Sequence, residues 1–537
     1  MRSDSTKLVQ SGLLLTFLFL TACGGGSETS CVPAPVSAPV PASAPIPVPA
    51  PVVTSMGTDF YLTLPDHLCV SNPAICMNTP VTNKLIVAAS AATTGDVTFN
   101  GAITPFSVAA GGQVVITLDP AVVLTTNEVI EAKAIHVTSL APVSVHVVSE
   151  TTTSADGYLA LPTAGLGTSY YVMSYASTNQ PGSEFAVVAT QNNTAVSITP
   201  SAAGASKPAG VVFTVMLNSG ETYQFANPAY ADLTGTLVTA DKPVAVFSGH
   251  RFANVPSGIG YGDYLVEQLP DVSIWGKTHH TSLFSGRSNY TVRVLASQNG
   301  TTFTTIPAGL IGTLNAGQFV DVDMTGAGEF VSSKPVLVAQ FMRGYAVDAA
   351  GKGDPSMVIV TPVEQAMTDS TFGVHGLARI ATNGITGPFV NVVTETAALA
   401  TLKLDNTAVN PALFTPVGGA SIYSVGTIQV SPGAHTLLGS LPYSALVYDY
   451  GTPSNSVSYA YPVAAKLSFP APVTPAPALV TPAAANPSPA VCVYAAGDMQ
   501  SQDDSGHGEH GEHDEHGEHG EHDSNGTHHD DSHDYHA

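Results

Sequence analysis

Charge is scarce in this chain, and what charge there is has one sign. Asp, Glu, Lys and Arg make up 10% of the residues, with 40 acids against 16 bases and a formal net charge of −24 with histidine neutral. A chain this acidic repels phosphate backbones, which excludes nucleic acid as a partner. Long hydrophobic runs are also missing. Apolar residues reach 44%, but Thr, Ser, Gly and Pro interrupt them, so nothing beyond the N-terminus approaches the roughly 20 apolar residues of a membrane-crossing helix. There is no Gly-x-Ser-x-Gly elbow, no His-Glu-x-x-His and no phosphate-binding Gly loop. Asp156, Asp354 and Glu364 are scattered acids between apolar segments, and no enzyme is expected. The body shows no amphipathic helical period, only short helical turns expected around VEQLPDVSIWG and PVEQAMTDS.

The N-terminus reads as an export signal. Arg2 and Lys7 precede the short apolar core LLLTFLFL, then Leu20-Thr21-Ala22-Cys23 and a Gly tract. The core is too short to span a bilayer, and small residues at its end mark a cleavage point. A cysteine directly after Thr-Ala resembles the bacterial lipobox, which implies removal of residues 1–22, lipidation of Cys23 and anchoring to a membrane by acyl chains (palmitate among them). Each buried CH2 adds about 0.8 kcal/mol to such an anchor. Gly24 in place of Asp at the next position points, by analogy with Gram-negative sorting, to the outer membrane or cell surface.

Five cysteines fit an oxidising compartment. With Cys23 lipidated, four remain. Cys69 and Cys76 flank Pro73 in HLCVSNPAICMN and are expected to close a small disulfide loop. A Cys31–Cys492 bridge would tie together the two ends of the body, although connectivity does not follow from sequence alone.

Composition divides the chain. Residues 23–53 hold the anchor and a Pro/Ala-rich linker, 54–461 the body, 462–497 a second Pro/Ala-rich linker, and 498–537 a tail. Such linkers favour extended polyproline II at ~3.1 Å per residue or plain disorder. The tail contains 13 acids and no Lys or Arg, and disorder is expected there too. Its histidines are His507, His510, His513, His516, His519, His522, His528, His529, His533 and His536, the first six at a strict spacing of three. Neutral imidazole flanked by carboxylates suits zinc or a similar divalent transition metal, bound loosely because a flexible segment offers no fixed geometry. The same composition also suits a solvated polyanion. No cofactor is expected in the body.

The body repeats. A strand–turn–strand element appears as KLIVAASAATTGDVTFNG from Lys84, EFAVVATQNNTAVSITP from Glu184, YTVRVLASQNGTTFTTIP from Tyr290 and, more weakly, FVNVVTETAALATLKLDN from Phe389. A strand with Pro-Val three or four residues after Ser or Thr places Pro142, Pro243 and Pro335 at spacings of 101 and 92 residues; the fourth copy, LPYSALVYDY, departs from this signature. Val-x-Val alternation is the period of half-buried strands, and the Asn-Asn, Asn-Gly and Ala-Gly pairs are turn chemistry. The expected fold is all-β: about four tandem sandwich-like repeats of roughly 90–110 residues, the degenerate fourth acting as a cap, with a propeller-like arrangement as the alternative.

The ordered motifs TSADGYLALPTAGLGTSYYVMSY, DLTGTLVTADKPVAVFSGHR, DYLVEQLPDVSIWGK and GDPSMVIVTPVEQ resemble the IgG Fc-binding protein N-terminal domain family over about residues 57–460. The resemblance implies an exported, all-β binding or scaffold domain with no catalytic residues to transfer, and does not by itself imply immunoglobulin binding. Family members often carry cysteines where this chain has Phe252 and Gly262. Their joint loss implies an unstapled, looser loop between those positions.

Two further groups of polar residues stand out. His250 and Arg251 with Asp263 and Glu267 form a candidate polar site at a repeat junction, or a buried network that orders loops. His279 and His280 are adjacent, so on a strand they face opposite ways. Taken together, anchor, stalk and repeated β body point to adhesion or recognition of an extracellular protein or glycan, with metal handling by the tail as the alternative.

Overall fold

The computed structural model describes residues 52–347, 351–377, 387–451 and 457–467. Cys23, Cys31, Cys492 and the ten tail histidines lie outside them, as do residues 23–51 and 468–497 of the expected linkers, while 52–53 and 462–467 are described and belong to the folded body. Among the described residues the only α-helix is Leu68–Ser71, one turn long, and no helix is long and apolar enough to cross a membrane. Everything else that is regular is strand or 3-10 turn, as the β-branched composition and period-two alternation require.

Four sheets of 7, 8, 7 and 8 strands follow one another along the chain. Each is organised by a long strand followed by a short one. In chain order these are β1 (Ile135–Glu150) and β2 (Ala155–Leu159), β3 (Leu237–Ala253) and β4 (Asp263–Gln268), β5 (Gly328–Met342) and β6 (Ser356–Ile359), β7 (Gly433–Tyr450) and β8 (Ser458–Pro462). The two halves of each long strand pair with different neighbours. In the first module residues 135–139 pair with Asp59–Leu62 and Gly95–Thr98, Val143 pairs with Gly57, and residues 144–150 pair with Thr82–Ala88 and β2.

The change of partners falls at a proline. Pro142, Pro243 and Pro335 do not begin strands. They sit instead inside the long strands, at the register shift preceding Val143, Val244 and Val336, where a missing N–H removes no ladder bond. Tyr443 occupies the same place in the fourth module, and Pro442 precedes it, so the fourth copy keeps this kink. What that copy has lost is length: its outer hairpin shrinks to Lys403–Leu404 and Thr407–Ala408.

The modules are not beads in a row. The short strands β2, β4, β6 and β8 pack against one another in a cycle, β2 on β4, β4 on β6, β6 on β8 and β8 on β2. Single 3-10 turns at Thr163–Gly165, Val272–Ile274 and Val363–Gln365 carry the chain from each inner strand to the next module, two of them in the segments expected to turn. The cycle closes through main-chain bonds between the two ends of the body: Ser55 N donates to Ala465 O (2.8 Å) and Leu467 N to Val53 O (2.7 Å). The cores close in the same sense. Ala245, Phe247, Tyr264 and Val266 of module two join the first module's core, and Ile86, Val148 and Ala155 of module one join the fourth's. The all-β expectation of four repeats holds, with each repeat a single sheet of barrel or half-barrel shape in place of a sandwich, and the four inner strands packed in a cycle.

Candidate functional site

The inner strands bring together acids that the sequence leaves scattered. Asp156, Asp263, Glu267 and Asp354 are at most 2% exposed. Asp156 of β2 accepts from Val266 N of β4 (3.1 Å), from Met357 N (3.1 Å) and the Ser356 hydroxyl (3.0 Å) of β6, and from Ala460 N of β8 (3.4 Å). One carboxyl therefore reaches all three other inner strands. Asp263 accepts from Ala155 N and Tyr264 N (both 2.8 Å), from the Ser154 hydroxyl, and from Ser458 N (3.4 Å). Glu267 accepts from Ile359 N (3.1 Å), and Asp354 N donates to the Ser458 hydroxyl (2.7 Å).

The chemistry follows from strand geometry. Inner strands packed side by side without a shared ladder leave N–H groups turned towards the axis, and a buried N–H must find an acceptor. Short acidic side chains supply it. Burial pushes Asp156, Asp263, Glu267 and Asp354 well above the usual carboxylate range; hydrogen bonds from Met357 and Val266 pull Asp156 part of the way back, and the charge of Asp354 raises Asp263 further. A neutral carboxyl here ties strands together without burying net charge.

A second buried chain of groups joins this hub. His67 places Nδ1 3.0 Å from the Ser149 hydroxyl and Nε2 3.0 Å from the Ser154 hydroxyl, while its ring stacks on Tyr264 at 4.4 Å. Burial pushes its pKa down to about 3. Cys69 and Cys76 are joined by a disulfide. Their sulfurs and a His67 nitrogen lie within 4.8 Å of one another, but the S–S bond takes both thiolates that a metal would need.

The candidate group His250, Arg251, Asp263 and Glu267 does not form one site. Asp263 and Glu267 are four residues apart on β4 and both reach the axis. His250 turns into its own module, where Nδ1 accepts from Phe252 N (3.0 Å) and burial pushes the ring down to about 3. Arg251 leaves altogether, pairing with Asp66 (2.8 Å) and donating to the Ser71 hydroxyl (2.6 Å) of the first module. Consecutive strand residues point apart, which separates His250 from Arg251. His279 and His280 separate likewise: His280 Nε2 lies 3.3 Å from Glu329 Oε2 and its ring packs on Tyr423, while His279 is buried on the opposite face. Glu364 is exposed and accepts from Lys277 N (2.8 Å) at a junction.

The loop expected to be loose is closed at its base by an aromatic contact, and residues 257–261 within it are exposed. A Cβ on Gly262 would fall 2.6 Å from the Phe252 ring. The two positions are neighbours in space, and an aromatic ring covers the glycine where a disulfide was missing. The Tyr261 ring then lies tilted against Tyr345, with centroids 4.0 Å apart.

A strong clamp holds modules two and three. Arg293, 3% exposed, grips both oxygens of Asp321 (2.7 and 2.8 Å) and reaches Asp232 (2.7 Å), Thr234 (2.9 Å) and Ser174 O (2.7 Å). Its guanidinium lies over Phe319 and Tyr175 at 4.1 and 4.7 Å. The sequence shows Arg293 only as a charge in an apolar strand, with no sign of partners 60 residues upstream.

Comparison with known proteins gives three findings. A sequence profile of the family described as IgGFc binding protein matches residues 156–448. The human IgGFc-binding protein is 27% identical over 300 residues, which is 54% of this chain and 5% of the human protein. The chain thus spans about a twentieth of that relative. Two solved bacterial adhesins, one described as a Ca2+-stabilized adhesin that helps an Antarctic bacterium bind ice and one as a 1.5-MDa ice-binding adhesin, each share 12% identity, cover 75% and 58% of this chain and 99% and 98% of their own, and superpose with a TM-score of 0.11. At that score the likeness carries no weight.

Proposed function

The chain belongs to the IgGFc-binding protein family, and from that premise we propose that it is a non-catalytic binding and scaffold protein, moored through a lipid on Cys23 at the outer membrane or cell surface, whose β modules engage an extracellular protein or glycan. The observation that carries this reading is a repeated, unpaired strand edge. In every module one strand of the outer hairpin is the last of its sheet: Ala102–Val108, Phe213–Leu217, Ile311–Leu314 and Thr407–Ala408. The first three carry exposed large apolar residues, Ile103 (65%), Met216 (53%) and Ile311 (79%). Open edges accept an extended partner strand, and exposed apolar side chains add contact area. Repetition of the same feature offers several weak contacts at once, which raises overall avidity. The acids that could do proton chemistry are, by contrast, buried and bonded to main chain.

A binding screen with the soluble body against glycan and protein arrays tests the reading, paired with the triple variant Ile103→Lys, Met216→Lys, Ile311→Lys. Captured partners should be lost by the variant while its far-UV circular dichroism stays unchanged; a partner retained at full strength sinks the edge reading. Palmitate labelling that disappears in Cys23→Ser tests the anchor. A second reading, metal handling by His507 to His536, is supported by the strict histidine spacing of the tail. Calorimetry with Zn2+ on the full chain and on a chain lacking residues 498–537 tests it; no heat at neutral pH from the full chain removes it.

A further inference from the structure

The loop that joins β3 to β4 in module two meets the loop that joins β5 to β6 in module three. Gly344 N donates to Val255 O (2.9 Å), and a Cβ on Gly344 would fall 3.0 Å from Tyr261 O, so the two main chains lie in contact. Each loop then presents a tyrosine to the other. The rings of Tyr261 and Tyr345 have centroids 4.0 Å apart and planes tilted by 49°. Their hydroxyls meet as well: a hydrogen bond with the Tyr261 hydroxyl holds the Tyr345 phenol above its ordinary pKa. Tyr261 takes a φ of 67°, in the left-handed region that a bulky side chain rarely enters, and such a backbone persists only where its surroundings hold it. The contact is thus built by the main chain of both loops.

Access sets this pair apart. Among the described residues two other tyrosine pairs bring their rings together, Tyr448 with Tyr450 at 6.3 Å and Tyr459 with Tyr461 at 5.1 Å. All four of those side chains are shut in the core, at most 2% exposed. Tyr261 is 52% exposed and Tyr345 half-buried, so an oxidant reaches this pair from solvent. One-electron oxidation of a phenol spreads the unpaired electron over the oxygen and the ortho carbons. Those carbons flank the hydroxyl, so two hydroxyls in contact bring two ortho carbons side by side. Reactants held in this way couple ahead of chance encounters between chains.

We propose that Tyr261 and Tyr345 form a site of oxidative cross-linking, at which a peroxidase and hydrogen peroxide join the two rings into dityrosine. Each phenol gives one electron and one proton to the peroxidase. One carbon–carbon bond forms between ortho carbons, the two ortho hydrogens move as protons to the phenolic oxygens, and both rings regain aromaticity. Hydrogen peroxide takes up the two electrons and two protons and leaves as two waters. The new bond staples module two to module three beside the Phe252 contact. This goes beyond the surface-binding reading and uses none of its residues.

The full chain, kept dilute, is treated with a haem peroxidase and hydrogen peroxide, separated on a denaturing gel and digested with trypsin. The monomer band should gain the blue fluorescence of dityrosine. Peptides 252–277 and 344–352, which carry the two tyrosines, should be found joined, with a mass two hydrogens below their sum. Tyr261→Phe and Tyr345→Phe keep the rings and should each remove the joined product while far-UV circular dichroism stays unchanged. The wild-type digest is decisive without either variant. Dityrosine confined to dimers of the chain overturns the proposal. So does the absence of the joined peptides after a treatment that couples free N-acetyltyrosine in the same tube.

Discussion

Removing the Asp156 carboxyl should cost the whole cycle of modules, not one of them. Asp156→Ala leaves two firmly bonded main-chain donors, Val266 N and Met357 N, without an acceptor; the Ser356 hydroxyl can turn elsewhere, and the Ala460 contact at 3.4 Å is weak. A buried donor left unpaired costs about 1–3 kcal/mol, so the loss is about 4 kcal/mol, roughly a thousandfold in the folding equilibrium. The donors belong to modules two and three, while the carboxyl belongs to module one. Urea unfolding followed both by Trp275 emission and by far-UV circular dichroism should therefore show an earlier transition, with the two probes no longer coincident. The pH dependence has a definite sign. The folded pKa of Asp156 lies above its unfolded value of about 3.9. The folded form keeps a proton that the unfolded chain releases, so this group's contribution is complete below that value. It shrinks as pH rises towards the folded pKa, by up to about 1.4 kcal/mol per pH unit. Asp156→Asn has no proton to release and should flatten this part of the profile. An Asp156→Ala protein within about 0.5 kcal/mol of wild type, or wild type and Asp156→Asn with the same slope, would refute the reasoning.

Other tests address other parts of the molecule. His67, His146, His250 and His279 are each held near a pKa of about 3 by burial; their imidazole NMR signals should stay fixed between about pH 5 and 8, where free histidine titrates. Since the unfolded chain takes up protons that these rings refuse, their contribution is present above about pH 6.5 and is lost as pH falls towards 3. Arg293→Met should cost about 3–5 kcal/mol by stranding Asp232 and Asp321 at the seam of modules two and three, read as a lower urea midpoint. Phe252→Cys with Gly262→Cys should form a disulfide, seen as a mobility difference on non-reducing gels; two free thiols after air oxidation would show that the aromatic contact does not stand where a bridge fits.

The strands were legible because their cause is local. The apolar runs from Lys84, Glu184 and Tyr290 form strands as expected, but they are buried almost throughout and not half-buried, and each pairs with its module's long strand and with the strand beyond, not with its own turn partner. The prolines at 142, 243 and 335 were legible as a repeat but not as kinks, because a kink depends on which strands lie alongside. Asp156 and Asp354 were invisible as partners for a similar reason. Asp156 lies within its inner strand and Asp354 two residues before its own, and only the packing of four modules brings them together. The grouping of His250 with Asp263 failed on strand register: adjacent side chains alternate, so proximity in sequence put Arg251 and His250 into different modules. The place of Phe252 could not be read either, because a ring covering a glycine leaves no period behind.

The clasp between residues 53–55 and 465–467 bears on how the body would respond to tension. Thr54 and Lys466 pair in antiparallel sense, so the incoming and outgoing chain depart on the same side. Pulled apart from these ends, main-chain bonds of the clasp open one after another, as a zipper does, rather than sharing the load. Mechanical rupture should begin there at low force and free the fourth module from the first, while the Arg293 seam remains intact.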